Sequence, residues 1–207
     1  MIRPPGFRAT AFETRAVDDA RDDLAVRRSL ATELGIGTDW AYLHQVHGAT
    51  VIEATGPGLL GDADGIVTTR RGLPIVVATA DCLPIVIEGA GSVGVAHAGW
   101  RGLAAGIVGA VLSAMADLGD RPVRAAIGPA IGPCCYEVGP EVAGRFPRFV
   151  STTTWGTTSI DLAAAAADQL DGLEVWTSGR CTRTDPDLRS YRGGDLHRRQ
   201  VAVGWLP

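Results

Sequence analysis

The strongest constraint on the fold is a series of three short apolar segments between residues 73 and 97. Residues 73–79, 84–88 and 93–97 are rich in β-branched side chains and are bounded by glycine, proline or aspartate. Segments with this length, composition and flanking sequence are typical of β-strands. We therefore expect three closely spaced strands in the middle of the chain.

Helical periodicity flanks these strands. In residues 103–118, apolar side chains recur every three or four positions, as they do on one face of a helix. Residues 23–35 predict a helix that ends at Gly35, and residues 161–170 predict another with Asp161 or Ser159 as its N-cap. Further strands are expected over residues 42–53 (with a break at His47 and Gly48), 123–127, 174–177 and 200–206, and a loop over 151–159. Alternating strands and helices predict an α/β protein.

One cysteine and two histidines lie at the edges of predicted strands. His47 stands in HQVHG, Cys82 in ATADCLP and His97 in VAHAGWRG. Zinc commonly binds such side chains, and a centre with three protein ligands leaves a fourth coordination position for water or substrate, as in catalytic sites. If the three side chains meet in the fold, they predict an enzyme. Their spacing along the chain does not by itself bring them together.

Six sequence blocks occur in an order that resembles the YfiH/laccase-domain family. They are HQVHGATV, DADGIVTT, VATADCLPIVI, GVAHAGWRGLAAGIV, AAIGPAIGPCCYEVG and CTRTDPDLRSYRGGDLHRRQVAVGWL. The resemblance implies a mixed α/β sandwich of two sheets covered by helices, with residues 1–207 as one catalytic domain. It also implies that His47, Cys82 and His97 bind zinc.

Members of this family are described as purine nucleoside phosphorylases, and formerly as polyphenol oxidases. The resemblance implies that the partners of this chain are purine nucleosides and phosphate. Adenosine, inosine, guanosine or methylthioadenosine would be cleaved by phosphate, and adenosine would also be deaminated by water. An open position on zinc fits the deamination, because zinc lowers the pKa of bound water to about 7.

Four further residues are candidates for the reaction. Arg101 lies in the GWRG turn before a predicted helix, where a helix N-terminus and a guanidinium could together bind phosphate. Arg192 and Arg199 are additional anion ligands by resemblance, although Gly193 stands where the family has a second arginine. Asp64 in DADG has two interpretations: a catalytic acid or base, or a turn residue whose carboxylate binds the local backbone.

Several alternatives stay open. A pair of histidines with one cysteine also resembles a blue-copper ligand set, so copper is an alternative metal and polyphenol oxidation an alternative activity. The four histidines of the chain are too few, however, for the additional copper cluster of a multicopper laccase. Cys82 and His97 could instead be the nucleophile and base of a thiol hydrolase. Editing of peptidoglycan precursors and a non-catalytic zinc-binding role also stay open.

Composition and charge limit the expected partners and location. A net charge of −4 at pH 7 argues against broad nucleic-acid binding. The chain has no stretch approaching the ~20 apolar residues of a membrane span, and its first residues lack the apolar core of a secretion signal. Four cysteines without such a signal are typical of reduced thiols. We therefore expect a cytoplasmic protein that binds neither membranes nor nucleic acid.

Overall fold

The computed structural model describes residues 1–14 and 18–207, and these contain strands β1–β13 and helices α1–α5. The strands are β1 (Thr10–Phe12), β2 (Ala41–His44), β3 (Val51–Glu53), β4 (Gly58–Asp62), β5 (Gly65–Thr68), β6 (Ile75–Thr79), β7 (Leu83–Gly89), β8 (Val93–Ala98), β9 (Pro122–Ile127), β10 (Val150–Thr152), β11 (Thr158–Ile160), β12 (Glu174–Thr177) and β13 (Gln200–Gly204). The helices are α1 (Leu24–Leu34), α2 (Trp100–Ala104), α3 (Ile107–Asp117), α4 (Pro140–Arg145) and α5 (Leu162–Asp168), with a short 3-10 turn at Pro147–Phe149.

Two mixed sheets dominate the structure. The first has five strands in the order β1-β13-β6-β2-β4. Strand β13 is antiparallel to its neighbours β1 and β6, and strand β2 is parallel to its neighbours β6 and β4. The second has six strands in the order β12-β9-β7-β8-β5-β3, with parallel pairs at its two edges and antiparallel pairs between them. The predicted mixed two-sheet α/β architecture is confirmed.

The sheets pack face to face, and helices cover their outer faces. Along β6, Ile75 and Val77 enter the core between the sheets, where they meet Val86 of β7 and Val95 of β8. Their neighbour Val76 points to the opposite face and packs with α1, because successive side chains of a strand alternate between faces. The outer face of the six-stranded sheet packs against α3 and α5. The longest helices, α1 and α3, have 11 residues, and none within residues 1–14 and 18–207 could cross a bilayer.

Two of the predicted helices begin at an expected capping residue, and one of them also ends at the expected glycine. The carboxylate of Asp23 accepts the N–H groups of Ala25 and Val26 at the start of α1, and Gly35 ends that helix in the left-handed conformation. Asp161, rather than Ser159, caps α5. Capping preferences are local, which explains why the sequence predicts these boundaries correctly.

The single helix predicted over residues 103–118 is wrong in its boundaries. The chain forms α2 and α3 instead, and Gly106 separates them with a left-handed φ of 88°. Leu103 therefore lies in the last turn of α2, not at a helix start, and Arg101 belongs to α2 itself. Arg101 therefore does not precede the start of a long helix, as expected, but lies in the first turn of the short helix α2.

The loop predicted over residues 151–159 is also wrong. Strands β10 and β11 pair there as an antiparallel hairpin, with Ser151 opposite Ser159. The turn between them contains Trp155 and Gly156, and Gly156 adopts a positive φ of 89°. Threonines have a high β-propensity, so this polar segment forms a small two-stranded ribbon once a glycine allows the turn.

Candidate metal centre and active-site pocket

The three predicted metal ligands come from both sheets. His47 lies in the loop that follows β2 of the five-stranded sheet. Cys82 immediately precedes β7 of the six-stranded sheet, and His97 lies near the end of β8, where it pairs with Pro84. Because β7 and β8 are antiparallel, the start of one lies beside the end of the other, which brings Cys82 next to His97.

The side chains of His47, Cys82 and His97 meet. Nε2 of His47 lies 3.8 Å from Sγ of Cys82, and the two imidazole rings lie edge to face with centroids 4.7 Å apart. One ligand atom from each residue lies within 4.8 Å of the other two. This separation and this set of nitrogen and sulfur donors suit a single metal ion, so the structure brings together the residues that the sequence singled out.

Asp64 forms hydrogen bonds with the His97 side chain and with the backbone of His47. Its side chain is fully buried, and Oδ1 lies 2.7 Å from Nδ1 of His97 while also accepting the N–H of His47 at 2.9 Å. Oδ2 accepts the N–H groups of Gly48 at 2.6 Å and Val46 at 3.3 Å. With Nδ1 of His97 bound to the carboxylate, Nε2 is the nitrogen that remains for a metal. The geometry therefore favours a positioning role for Asp64 over that of an acid or base in the pocket.

The buried charges shift the pKa values of this group. Burial acts to raise the pKa of Asp64, but the hydrogen bonds from His97 and from the backbone of Gly48 and His47 outweigh it, so this pKa is lowered. Burial also acts to raise the pKa of Cys82, but the neighbouring His47 and His97 lower it to about 6. Burial opposes protonation of His97, yet Asp64 and Cys82 raise its pKa to about 9. The two histidines thus favour the thiolate form of Cys82, which is the form that binds metals.

Close packing explains why a glycine, Gly65, follows Asp64. Gly65 is the first residue of β5 and its φ is not in the left-handed region, so the DADG sequence is a strand start rather than a tight Asp-Gly turn. A Cβ atom there would lie 2.7 Å from Cγ2 of Val51 and 2.8 Å from Cγ2 of Val111. The absent side chain lets α3 pack closely on the strand that positions Asp64.

Substituting this glycine tests the packing. Gly65→Ala is expected to lower the free energy of unfolding by about 1–3 kcal/mol, because the added methyl group overpacks a filled core. Gly56→Ala is the matched control, since its Cβ would meet open space. Urea denaturation of both variants measures the difference. Equal stability of the two variants would contradict this account of Gly65.

The metal ligands open into a cavity of about 450 Å³. It is large enough for a small organic substrate. All three arginines predicted from the sequence line it, together with aromatic and polar side chains. The lining includes Arg101, Arg192, Arg199, Trp100, Tyr136, Tyr191, Arg21 and Gln45.

The three predicted arginines differ in how far their guanidinium groups are already engaged. Arg192 donates to the carbonyl of Glu137 at 3.0 Å, and Arg199 donates to backbone carbonyls of its own loop. Arg101 stacks on the ring of Trp100 at 4.6 Å and makes no hydrogen bond or ion pair with the residues that the structure describes. Among these three cations, Arg101 is therefore the most available to an anion in the cavity.

Two contributors to the pocket were missed by the sequence analysis. The side-chain amide of Gln45 accepts the N–H of Ala78 at 2.9 Å and donates to its carbonyl at 2.8 Å, which ties the segment before His47 to β6. Arg21 donates to the same amide at 2.9 Å and is held by Asp19. The signal for Gln45 was its place in HQVHG, whereas Arg21 lies outside all six sequence blocks.

Comparison with known proteins identifies the family. Residues 4–206 match the model of a family described as multi-copper polyphenol oxidoreductase laccase. The chain belongs to this family. A protein of Deinococcus radiodurans named purine nucleoside phosphorylase is 39% identical over 236 residues, which cover 99% of this chain and 92% of the relative.

Solved structures of the family share the fold. YlmD from Geobacillus stearothermophilus superimposes with a TM-score of 0.85 at 29% identity, covering 99% of this chain and 94% of that one. YfiH from Bacillus licheniformis superimposes with a TM-score of 0.83 at 24% identity, covering 95% and 92% of the two chains. The predicted YfiH-like fold is confirmed.

Proposed function

We propose that this chain is a zinc-dependent enzyme of purine nucleosides, which cleaves adenosine, inosine, guanosine or methylthioadenosine with phosphate and deaminates adenosine with water. The observation that carries the proposal is the convergence of His47, Cys82 and His97, within 4.8 Å of one another, in a cavity that also contains arginine and aromatic side chains. The name of the Deinococcus radiodurans relative supports the substrate class.

The cavity offers a different group for each part of the substrates. Tyr191 is an exposed aromatic surface on which a purine can stack, whereas Tyr136 is buried and Arg192 stacks on its ring at 5.2 Å. Arg101 has a guanidinium free to bind phosphate through charge-assisted hydrogen bonds. Arg192 and Arg199 add positive charge while their guanidinium groups hold the pocket wall. Phosphate bound by Arg101 would attack C1′ of the ribose, the bond between C1′ and the purine nitrogen would break, and the free base would leave.

Zinc fits the donor set at the base of this cavity. Two imidazole nitrogens and one thiolate form a three-ligand site of the kind that catalytic zinc occupies, and the buried Asp64 orients His97 for it. When bound, zinc supplies a Lewis acid that polarises an oxygen in the pocket. Copper, which the family description mentions, is the alternative metal.

We further propose that residues 1–207 act as one catalytic domain in the cytoplasm, with no membrane or nucleic-acid partner. The ligand set supports the first part, because His47 follows a strand of one sheet while Cys82 and His97 lie at the ends of adjacent strands of the second. Neither sheet alone carries all three.

A thiol hydrolase is the second candidate function. It is favoured by one observation: the ligand atoms of Cys82 and His97 lie within 4.8 Å of each other, and this proximity acts to lower the pKa of the thiol and to raise that of the imidazole. Such a pair is the activated state of a cysteine nucleophile and its base. Metal and thiol chemistry therefore compete for the same two side chains.

Removal of the metal separates these two candidates. Chelator-treated protein is expected to lose phosphorolysis of inosine and deamination of adenosine, and zinc is expected to restore both. Product formation is followed by chromatography on one preparation, with copper as a parallel arm. If the metal-free protein instead keeps its hydrolytic deamination of adenosine and iodoacetamide abolishes it, the thiol hydrolase is correct and the zinc proposal fails.

Arg101→Ala tests the assignment of the phosphate site. Loss of a charge-assisted hydrogen bond costs about 1.5–3 kcal/mol. We therefore expect roughly a 10- to 150-fold rise in the phosphate concentration needed for half-maximal phosphorolysis. Adenosine deamination should change much less, since attack by water uses no phosphate. Arg70→Ala, which removes an exposed arginine outside the cavity, is the control. An equal loss of both activities in Arg101→Ala would contradict a role in binding phosphate.

A further inference from the structure

A second group of converging thiols lies outside the lining of the active-site cavity. Cys134 and Cys135 stand in the turn that follows β9, and Cys181 follows β12. Sγ of Cys134 lies 3.3 Å from Sγ of Cys135, and the three sulfur atoms all lie within 4.8 Å of one another. All three are free cysteines. We call these residues the three-cysteine cluster.

The backbone around the cluster is arranged so that the sulfur atoms can approach. A Cβ atom on Gly132 would lie 3.3 Å from Cβ of Cys181 and 3.4 Å from Sγ of Cys134, so glycine keeps the space between the two loops open. The N–H of Gly132 donates to Sγ of Cys181 at 3.2 Å. A parallel bridge between Ala130 and Cys181 fixes the two loops side by side.

We propose that the three-cysteine cluster binds one thiophilic metal ion, Cu(I) or Zn(II), at a site distinct from the His47, Cys82 and His97 centre. Thiolates are soft ligands that select these two ions over hard cations such as Mg²⁺ or Ca²⁺. With metal–sulfur bonds of ~2.3 Å, two sulfur ligands of one ion lie about 3.8–4.0 Å apart. The 3.3 Å pair would open slightly, and a separation of up to 4.8 Å would close by at most about 1 Å. Each thiol that binds the ion releases its proton to solvent.

An ion at this site would tie together two loops that both reach the active-site pocket. Tyr136, the residue after Cys135, lines the cavity. In the same two loops, the N–H of Ile131 donates to the carbonyl of Asp81, and the hydroxyl of Thr182 donates to its carboxylate at 2.6 Å. Asp81 directly precedes Cys82. An ion bound by the three-cysteine cluster would therefore hold together two loops that help to form the wall of the pocket.

Metal stoichiometry of the full-length chain tests the proposal. Reduced, chelator-stripped protein is loaded with Zn²⁺ in one arm and with Cu(I) in the other, desalted, and its metal content measured. In the arm with the preferred ion, the wild type is expected to retain two ions per chain, Cys181→Ser one, Cys82→Ser one, and the double variant none. Cys82→Ser is the matched control, because it removes a thiol from the other centre. The ion that the three-cysteine cluster prefers is the one whose loading arm yields a second ion per chain.

Absorption spectra and a second variant test the three-cysteine cluster independently of the metal stoichiometry. Cd²⁺ bound to Cys82→Ser should give sulfur-to-metal charge-transfer absorption that is lost when Cys181 is also replaced. If Cys181→Ser fails to fold, Cys134→Ser, at a half-buried position, carries the same comparison. The proposal is overturned if wild type and Cys181→Ser retain the same number of ions in both arms. It is also overturned if thiol titration finds two of these cysteines joined as a disulfide and reduction brings no added metal binding. Either failure leaves the His47, Cys82 and His97 centre untouched.

Discussion

Replacing His47 by alanine is expected to lower the phosphorolysis of inosine by at least about 100-fold, because losing a metal ligand removes several kcal/mol of charge stabilisation and each ~1.4 kcal/mol is a factor of ten. The variant should stay folded, since the His47 side chain is exposed and its one ring hydrogen bond is to Cys82. Turnover and zinc content are measured together, and one zinc fewer per chain is expected than in the wild type.

His44→Ala is the control for this variant. His44 is an exposed histidine three residues earlier, lines the same cavity and pairs with Asp62 at 2.8 Å. It lies outside the ligand cluster, so the zinc content of this variant should stay close to that of the wild type. If His47→Ala and His44→Ala behave alike, His47 does not belong to the metal centre.

Asp64→Asn is expected to destabilise the fold by about 3–5 kcal/mol, the range seen when one partner of a buried charged pair is removed. Each carboxylate oxygen accepts two hydrogen bonds, so either orientation of an asparagine would turn an NH₂ group against N–H donors. The pKa of Asp64 is lowered in the folded state, so its stabilisation is present above the ordinary carboxyl pKa and is lost as the pH falls through the lowered value. The difference from wild type should therefore be full at neutral pH and shrink in acid.

Thermal and urea unfolding at several pH values measure this effect. Asp62→Asn is the matched control, because Asp62 is an exposed carboxylate two residues away whose partner, His44, is also exposed. Substitutions of this kind are usually within about 0.5 kcal/mol of wild type. Equal stability of the two variants at pH 7 would contradict the positioning role of Asp64.

The strands and helix caps were predictable because their determinants are local. The apolar segments that became β6, β7 and β8 are buried almost throughout, as their composition indicated. The ends of α1 follow from Asp23 and Gly35 alone. The error at residues 103–118 has a different origin. The apolar periodicity continues through Gly106, but this glycine adopts a left-handed φ of 88°, which ends α2 before α3 begins.

The chemistry of the pocket was predictable only in part. The sequence identified His47, Cys82 and His97 by residue type, by their place at strand edges and by the motifs around them. It could not distinguish Asp64 as a turn residue from Asp64 as a functional group, because that distinction depends on contacts with residues 16 to 33 positions away. It also could not rank the arginines, whose availability depends on which backbone carbonyls they meet.

The sequence by itself therefore determined the kinds of elements, the alternation of buried faces and the ligand types at strand edges, since these depend on neighbours in the chain. Tertiary structure decided that the ligands meet, because His47 follows a strand of one sheet and His97 lies on a strand of the other, and they converge only when the sheets pack. It also decided the local backbone, holding the non-glycine residues His47 and Asp81 at φ values of 62° and 90°. Such conformations cost about 1–3 kcal/mol each, and only surrounding contacts maintain them. For His47 these include the hydrogen bond from its N–H to the buried carboxylate of Asp64.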